Sequence, residues 1–478
     1  MKKTLIFFST VIFSLSFFLN ASGQYRIVLK IEGNQDTIML LGNYYLNNSY
    51  AVDTAYPTKK GFVFENKNKK LEDGIYFFAN KTGKYCEFVV ENSKKKKEKV
   101  YEINFTTKED DWVQNMVVEK SKENVIYFSY IKESNLLAGQ VKALVQNKET
   151  LSEEVFNDRM SNFRRLNDSL KESFVKKYPD HLLTKVLNCT KPVVVPDTIG
   201  REYLPDSVRW EENRYLWYKK HYFDNLDFSC QGLLRTPKGV FFSTFEYYWN
   251  DVLKYEREDT ILLYANKIIE RCTDSSMFRY VVHTITERYL KSNVMGHDKI
   301  YVELIKKYYK TGLAWWMPPS ANEQEVARAE KWEHILLKKQ IPNLACPDSN
   351  NVWHDVYSLN FKYKLLLFWS PECGHCAVEI PKMVDFYSKC KTKFNLEVMA
   401  ICTEGSRDEW LKKIRENHTS WINLYGLDAT MDWREYFDIT TTPQVFILNY
   451  DNVIIGKKIA AENIESYLQA IEEGRFKP

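Results

Sequence analysis

The run Leu365-Leu366-Leu367-Phe368-Trp369-Ser370-Pro371-Glu372-Cys373-Gly374-His375-Cys376 carries an unbroken apolar segment into a turn and then into two cysteines separated by two residues. An apolar run of this length, without alternation, is the pattern of a strand buried on both faces, as in a parallel sheet. Cys376 to Cys390 reads as a helix and Leu396 to Cys402 as a second buried strand. Together they predict a β-α-β unit with the cysteine pair at the strand-to-helix junction.

That position has a chemical consequence. A cysteine at a helix N-terminus faces unpaired backbone N–H groups and the positive end of the helix dipole, which together favour a thiolate. Cys373 is therefore the expected exposed nucleophile. Cys376, one turn further on and facing inward, is placed to attack a mixed disulfide and release the partner. His375 lies between them and, when protonated or donating a hydrogen bond, favours the Cys373 thiolate. For a two-electron couple about 1.4 kcal/mol of such stabilisation corresponds to roughly 30 mV.

Arg407 to His418 and Trp433 to Phe437 read as helices, Gln444 to Leu448 and Val453 to Ile459 as strands joined by Asn449-Tyr450-Asp451-Asn452, and Glu462 to Glu472 as a closing helix. The expected order is β-α-β-α-β-β-α.

With Pro381 five residues after Cys376 and Thr442-Pro443 ahead of a strand, the segment 341–478 resembles the thioredoxin fold. Cys373-Gly374-His375-Cys376, followed by Ala377-Val378-Glu379-Ile380-Pro381 and preceded by Ile341-Pro342-Asn343-Leu344, most resembles the secreted bacterial TlpA/ResA-like thiol-disulfide oxidoreductases of the alkyl hydroperoxide reductase/thiol-specific antioxidant group. The resemblance implies that Cys373 and Cys376 form a redox-active disulfide and that Glu379 supports proton transfer. It makes Pro443 a cis-proline and assigns Thr442, Pro443 and Trp369 to substrate binding, with the Thr442 backbone pairing with an incoming strand. Two departures stand out: Leu367 occupies the place of thioredoxin's buried aspartate, and Glu372 replaces the usual aromatic before the nucleophile. A negative neighbour raises a thiol's pKa and opposes His375. The Gly374-His375 pair is shared with protein disulfide isomerase, so the direction of electron flow stays open.

Upstream, from Tyr25 to about Thr106, short β-type runs alternate with turn signals at Gly33-Asn34, Gly61, Gly74 and Gly83, predicting a β-sandwich over 24–120. The Lys94-Lys95-Lys96-Lys97 run falls where a solvated hairpin tip is expected. From Asn124 to Gln340 the periodicity is helical, predicting an α-helical domain over 121–340. There Thr150 and Glu153 read as a capping box ahead of the stripe Phe156, Met160, Phe163, Leu166, Leu170 and Phe174, and Ser320 and Glu323 as another. The remaining helices are expected at Trp210 to His221, Asp259 to Cys272, Ser276 to Lys291 and Asp298 to Tyr309. Both segments are similar to uncharacterised domains that precede thioredoxin-like domains in secreted bacterial proteins, which brings no function. The expected class is a multidomain α+β chain: β-sandwich, helical domain, and a thioredoxin-like α/β domain.

Residues 1–23 have the form of a secretory leader: Lys2 and Lys3, an apolar run from Leu5 to Leu19, and small residues up to Gly23. The run is shorter than the roughly 20 residues that span a bilayer and is interrupted by serines, so no integral membrane segment is expected after cleavage. The expected location is exported, periplasmic or attached to the cell envelope. The 478 residues hold 31 Tyr, 28 Phe and 12 Trp, enough apolar material for several cores. Lys plus Arg exceeds Asp plus Glu by 67 − 63 = 4, which excludes a strong field toward nucleic acid. Nine cysteines, only two of them close in sequence, are no disulfide framework; the seven others read as buried structural thiols.

A zinc site lacks a second ligand pair at the right spacing, and a one-cysteine peroxidase needs neither Cys376 nor Pro443. The expected function is an exported thiol-disulfide oxidoreductase, acting as a reductase on protein thiols and disulfides. It would be recharged by a membrane or periplasmic electron donor and need no metal or organic cofactor. A disulfide isomerase or oxidant, and a non-enzymatic envelope binding protein, are the alternatives.

Overall fold

The computed structural model describes residues 24–92 and 100–475; the leader and the lysine run at 94–97 lie outside them. Contacts divide the chain into two compact units, 1–255 and 256–478, so the helices of 121–340 are shared between both.

The first unit is built on two sheets. One has the order β4-β5-β1-β8-β9, formed by β1 (Gln24–Glu32), β4 (Pro57–Thr58), β5 (Gly61–Asn66), β8 (Val100–Lys108) and β9 (Val117–Glu119), with β1 and β8 parallel. The other has the order β3-β2-β6-β7, formed by β2 (Met39–Tyr45), β3 (Asn48–Ala55), β6 (Gly74–Ala79) and β7 (Tyr85–Val90). Alternate residues, such as Ile27 and Leu29 on β1, Phe64 on β5, Phe78 on β6, Phe88 on β7 and Phe105 on β8, fill one shared core. Phe78 stacks on Phe88 at 4.7 Å and meets Phe105 edge-on at 5.4 Å.

Among the described residues this unit also has the α-helices α1 (Lys122–Gln146), α2 (Glu153–Lys177), α3 (Leu182–Cys189), α4 (Ser207–His221) and α5 (Phe241–Tyr247). Asn124, buried in the first turn of α1, reaches the outer strand β7: Val89 N–H donates to Asn124 Oδ1 at 2.9 Å, and Asn124 Nδ2 donates to the Val89 carbonyl at 2.8 Å. The stripe from Phe156 to Phe174 does lie on one helix, α2, but that helix buries no residue completely. Its N-cap is Ser152, whose hydroxyl accepts from Val155 N–H, rather than the expected Thr150, which lies in a preceding 3₁₀ turn. The helix predicted after Ser320 shifts the other way and begins earlier, with Pro319 in its first turn.

The second unit opens with α6 (Glu258–Glu270), α7 (Ser275–Leu290), α8 (His297–Leu304) and α9 (Pro319–His334), followed by the hairpin β10 (Ala345–Pro347) and β11 (Trp353–Asp355). A five-stranded sheet follows. Its strands are β12 (Tyr363–Trp369), β13 (Leu396–Cys402), β14 (Ile422–Tyr425), β15 (Gln444–Leu448) and β16 (Ile454–Lys457), in the order β14-β13-β12-β15-β16. β12 pairs parallel with β13 and antiparallel with β15. The helices are α10 (Gly374–Phe394), α11 (Arg407–Glu416) and α12 (Ala461–Glu472). β14 is an addition to the expected order, and the helix expected at Trp433 to Phe437 is a single 3₁₀ turn, Trp433–Glu435.

Every residue of β12 and β13 is buried. Leu365, Leu367 and Trp369 pack on the α10 and α12 side, whereas Leu366 and Phe368 pack on the opposite side with Trp433, Phe437 and Ile335. This two-sided burial is why the strand carries no polar alternation. Ile335, just after α9, belongs to that second core, so the sheet and the helices before it share apolar material. Beside it Lys457 of β16 is ion-paired with Asp298 of α8 and also donates to the Ile335 carbonyl; both charged side chains are buried. Among the described residues no helix is long and apolar enough to cross a membrane.

Candidate functional site

Cys373 ends the turn after β12. Its backbone is extended, with φ −78° and ψ 119°, which makes it the N-cap of α10; its Sγ accepts from Cys376 N–H at 3.4 Å. A sulfur thus occupies the place where a serine or aspartate oxygen usually caps a helix. The turn is fixed from within: Cys373 N–H donates to the Ser370 carbonyl at 3.3 Å, and Glu372 N–H donates to Ser370 Oγ at 3.1 Å. Ser370 itself is fully buried. From across the sheet comes the Thr442-Pro443 peptide, which is cis, and the Cys373 thiol donates to the Thr442 carbonyl at 3.1 Å.

The two thiols differ in environment. Burial pushes the Cys373 thiol up, but hydrogen bonds from the Thr442 side chain and from the backbone N–H groups of Cys376 and His375 outweigh it, leaving the group below its ordinary value of 9.0. Burial pushes Cys376 up to about 12, and its neighbour Cys373 adds to that. One sulfur is poised to ionise and the other to keep its proton. The imidazole of His375 is exposed, and the part of this residue that acts on Cys373 is its main chain. Carbamidomethylation of the reduced protein should therefore follow a titration with a midpoint below 9.0 at Cys373 while Cys376 stays unmodified, as peptide mass spectrometry across pH 5 to 10 would reveal. Equal labelling of both would contradict this picture.

The remaining predicted positions divide. Glu379 is half-buried and, with His375, Thr442 and Pro443, lines a cleft of about 530 Å³ beside the thiol; its Oε1 accepts from Lys382 Nζ at 2.6 Å. Glu372 is exposed on the outer side of the turn. Gly374 is exposed, and a Cβ there would meet nothing within 4 Å, so no crowding demands glycine. Trp369 is only 2% exposed at the end of β12, beneath the site and facing the core, so the structure does not present it to a substrate surface.

Several residues of the site were not singled out from sequence. Gly405 has φ +95°, and a Cβ on it would fall 2.8 Å from Pro371 Cγ, so the loop after β13 closes directly on the cysteine turn. Cys402, in register with Trp369, is buried and pushed up to about 12 by that burial. Asn293, Thr441, Gln444 and Lys458 line the cleft together with the predicted residues. Thr441 and Gln444 flank a Thr-Pro pair that was recognised, whereas nothing in the local sequence marks Asn293. Among the described residues no three His, Cys, Asp or Glu side chains gather as a metal site.

Residues 360–454 match the thioredoxin-like family. Thiol-disulfide oxidoreductase ResA of Bacillus thuringiensis (strain Al Hakam) is 25% identical over 148 residues, covering 29% of this chain and 80% of that protein. The crystal structure of a domain of a possible thiol-disulfide isomerase from Cytophaga hutchinsonii is 35% identical, covers 29% of this chain and 95% of that one, and has a TM-score of 0.28. A thioredoxin-like protein from Bacteroides caccae covers 58% of this chain and 97% of its own at 20% identity, with a TM-score of 0.47.

Proposed function

The C-terminal domain belongs to the thioredoxin-like family, of the TlpA/ResA-like kind, and on that premise we propose that the protein is an exported thiol-disulfide oxidoreductase acting on protein substrates through Cys373 and Cys376. The observation that carries this reading is the pairing of an accessible sulfur of lowered pKa with a buried one of raised pKa, against the Thr442 carbonyl.

In the reducing direction the Cys373 thiolate attacks one sulfur of a substrate disulfide. A Cys373–substrate disulfide forms, and the other substrate sulfur leaves as a thiolate and takes a proton. Cys376 then loses its proton and attacks the Cys373 sulfur, forming the Cys373–Cys376 disulfide and releasing the second substrate thiolate. The substrate gains two electrons and the protein loses two; an external dithiol donor returns them. Cys376, at about 12, needs a proton acceptor for this step. Glu379 supplies it from the cleft. Glu379→Gln is expected to slow release from the mixed disulfide about 10²-fold at neutral pH while leaving the first attack unchanged, in stopped-flow single turnovers. Unchanged release would reduce Glu379 to a partner of Lys382. Export rests on the leader pattern in residues 1–23.

The deciding experiment is titration of the Cys373/Cys376 couple in the purified mature protein against glutathione and dithiothreitol. A potential near −270 mV is expected for a reductase, about −180 to −120 mV would mean an isomerase or oxidant, and no reversible couple would end the oxidoreductase reading.

A further inference from the structure

Outside the redox site, the first unit brings two further cysteines together. Cys189 closes α3, and Cys230 is the N-cap of the 3₁₀ turn Gln231–Arg235. α3, α5 and that turn each touch the other two. One side of α3 runs along the segment 225–232. A Cβ on Gly232 would fall 2.8 Å from Leu182 Cδ1, Lys185 Nζ is ion-paired with Asp227 Oδ2 at 2.9 Å, and Asn225 Nδ2 donates to the Lys191 carbonyl at 3.1 Å. Cys189 follows Lys185 by one helical turn and so lies on the same face. Cys230 follows Asp227 in a turn closed by its own N–H, which donates to the Asp227 carbonyl at 3.2 Å. Contacts on both sides of the two sulfurs therefore hold their segments against each other.

Both are free thiols in the structure. Cys189 is buried and hydrogen-bonded to Thr244 of α5, and Cys230 is half-buried. Burial pushes Cys189 up to about 12, and the neighbouring Cys230 adds to that; burial likewise pushes Cys230 up to about 11. Neither sulfur is activated as Cys373 is, so the pair is unsuited to rapid turnover. It suits a bond that forms once and stays. Two adjacent thiols are joined in an oxidising compartment, which export implies, unless something keeps them reduced.

We propose that Cys189 and Cys230 are a second disulfide site, oxidised by exchange with an external disulfide and independent of Cys373 and Cys376. Cys230, the more accessible of the two, loses its proton and attacks one sulfur of the external disulfide. A mixed disulfide forms on Cys230, and one thiolate leaves and takes a proton. Cys189 then loses its proton and attacks the Cys230 sulfur, which joins the two cysteines and releases the second thiolate, protonated in turn. The protein gives up two electrons and the external disulfide becomes two thiols. The turn after Cys230 is itself tied to the end of β2, where Leu46 N–H donates to the Leu234 carbonyl at 2.9 Å. The new bond therefore fastens α3 to the sandwich and closes the segment 190–229, with α4 inside it, into a loop.

The test incubates the full mature protein with oxidised glutathione, blocks the remaining thiols with N-ethylmaleimide in denaturant, and maps tryptic peptides without reduction. Two peptides linked through Cys189 and Cys230 are expected, and dithiothreitol should separate them. In a chain with Cys373→Ser and Cys376→Ser, the oxidised form should unfold roughly 5 to 15 °C above the reduced form, because the closed loop lowers the entropy of the unfolded chain. Adding Cys230→Ala should abolish that difference. Recovery of both thiols as N-ethylmaleimide adducts, of Cys230 only as its glutathione adduct, or of either cysteine joined to another partner would overturn the proposal. Cys373 and Cys376 share one tryptic peptide, which reports on the redox pair separately.

Discussion

With Cys373 replaced by serine, disulfide exchange is expected to fall on the order of 10³-fold or more, because a serine hydroxyl is not ionised at neutral pH and cannot stand in for a thiolate. The companion variant gives a positive signal. Cys376→Ser retains the Cys373 sulfur at the head of α10 but removes the group that clears it, so a substrate disulfide should remain joined to Cys373 as a stable adduct. Intact-mass measurement should show that adduct and dithiothreitol should remove it. The two variants separate the enzyme from a binding protein: if the double serine chain binds a partner as well as the parent, the partner surface is distinct from the redox pair. Parent and Cys373→Ser proteins with equal exchange rates would remove Cys373 from the mechanism.

The second large effect concerns stability. Asp298 and Lys457 are 5% and 3% exposed, and the ammonium is also hydrogen-bonded to the Ile335 carbonyl. Asp298→Ala leaves that ammonium buried without its counter-charge, which is expected to cost about 3 to 5 kcal/mol. The transition that unfolds residues 256–478 should then shift down by roughly 6 to 20 °C. Burial lowers the Lys457 pKa below 10.5, against the raising influence of Asp298. The unfolded chain therefore binds the extra proton first, and the stabilising contribution is fully present above pH 10.5 and is lost as pH falls through the folded value. Removing Asp298 lowers the folded value further and extends that loss toward neutral pH, so the variant should gain stability on alkaline titration more steeply than the parent. Asp298→Leu combined with Lys457→Met is expected to recover most of the loss, since an apolar pair of similar size has no desolvation to overcome. Thermal unfolding of the parent, single and double variants between pH 7 and 10 checks all three statements. An Asp298→Ala protein as stable as its parent would mean that the pair is not closed in solution.

Much of the C-terminal domain was legible because its signals are local. An unbroken apolar run can only be a two-sided strand or a buried helix, and Ser370-Pro371 ends it after a strand's length. Other elements gave weaker signals. β3 is Asn-Ser-Tyr-Ala-Val-Asp-Thr-Ala, rich in residues that disfavour strands, and it forms because β2 offers it a ladder. β14 is four residues long, with Asn423 in its middle, and gains its place by pairing with β13. At the site, the two cysteines and the Thr-Pro pair could be read from spacing. The lowering of the Cys373 pKa by main-chain N–H groups followed from its place at a helix start, whereas the share of the Thr442 side chain, far off in sequence, did not, and the conspicuous His375 acts through its main chain. Asn293 stands far from Thr442 in sequence, and only the packing of α7 and α8 on the sheet brings it to the cleft. Trp369, expected from its place beside the motif to contact substrate, lies in the core on the α10 side of a strand that is buried on both faces.

The two hydrogen bonds between Asn124 and Val89 have a consequence for how the chain behaves among its proposed clients. An outer strand with free N–H and C=O groups is a template on which any loose polypeptide can add another strand. At Val89 a side-chain amide imitates the next strand for the length of one residue and occupies that position. If the protein exchanges disulfides with other polypeptides as proposed, an incoming chain therefore finds the Val89 position of β7 already taken and cannot extend a continuous ladder along it.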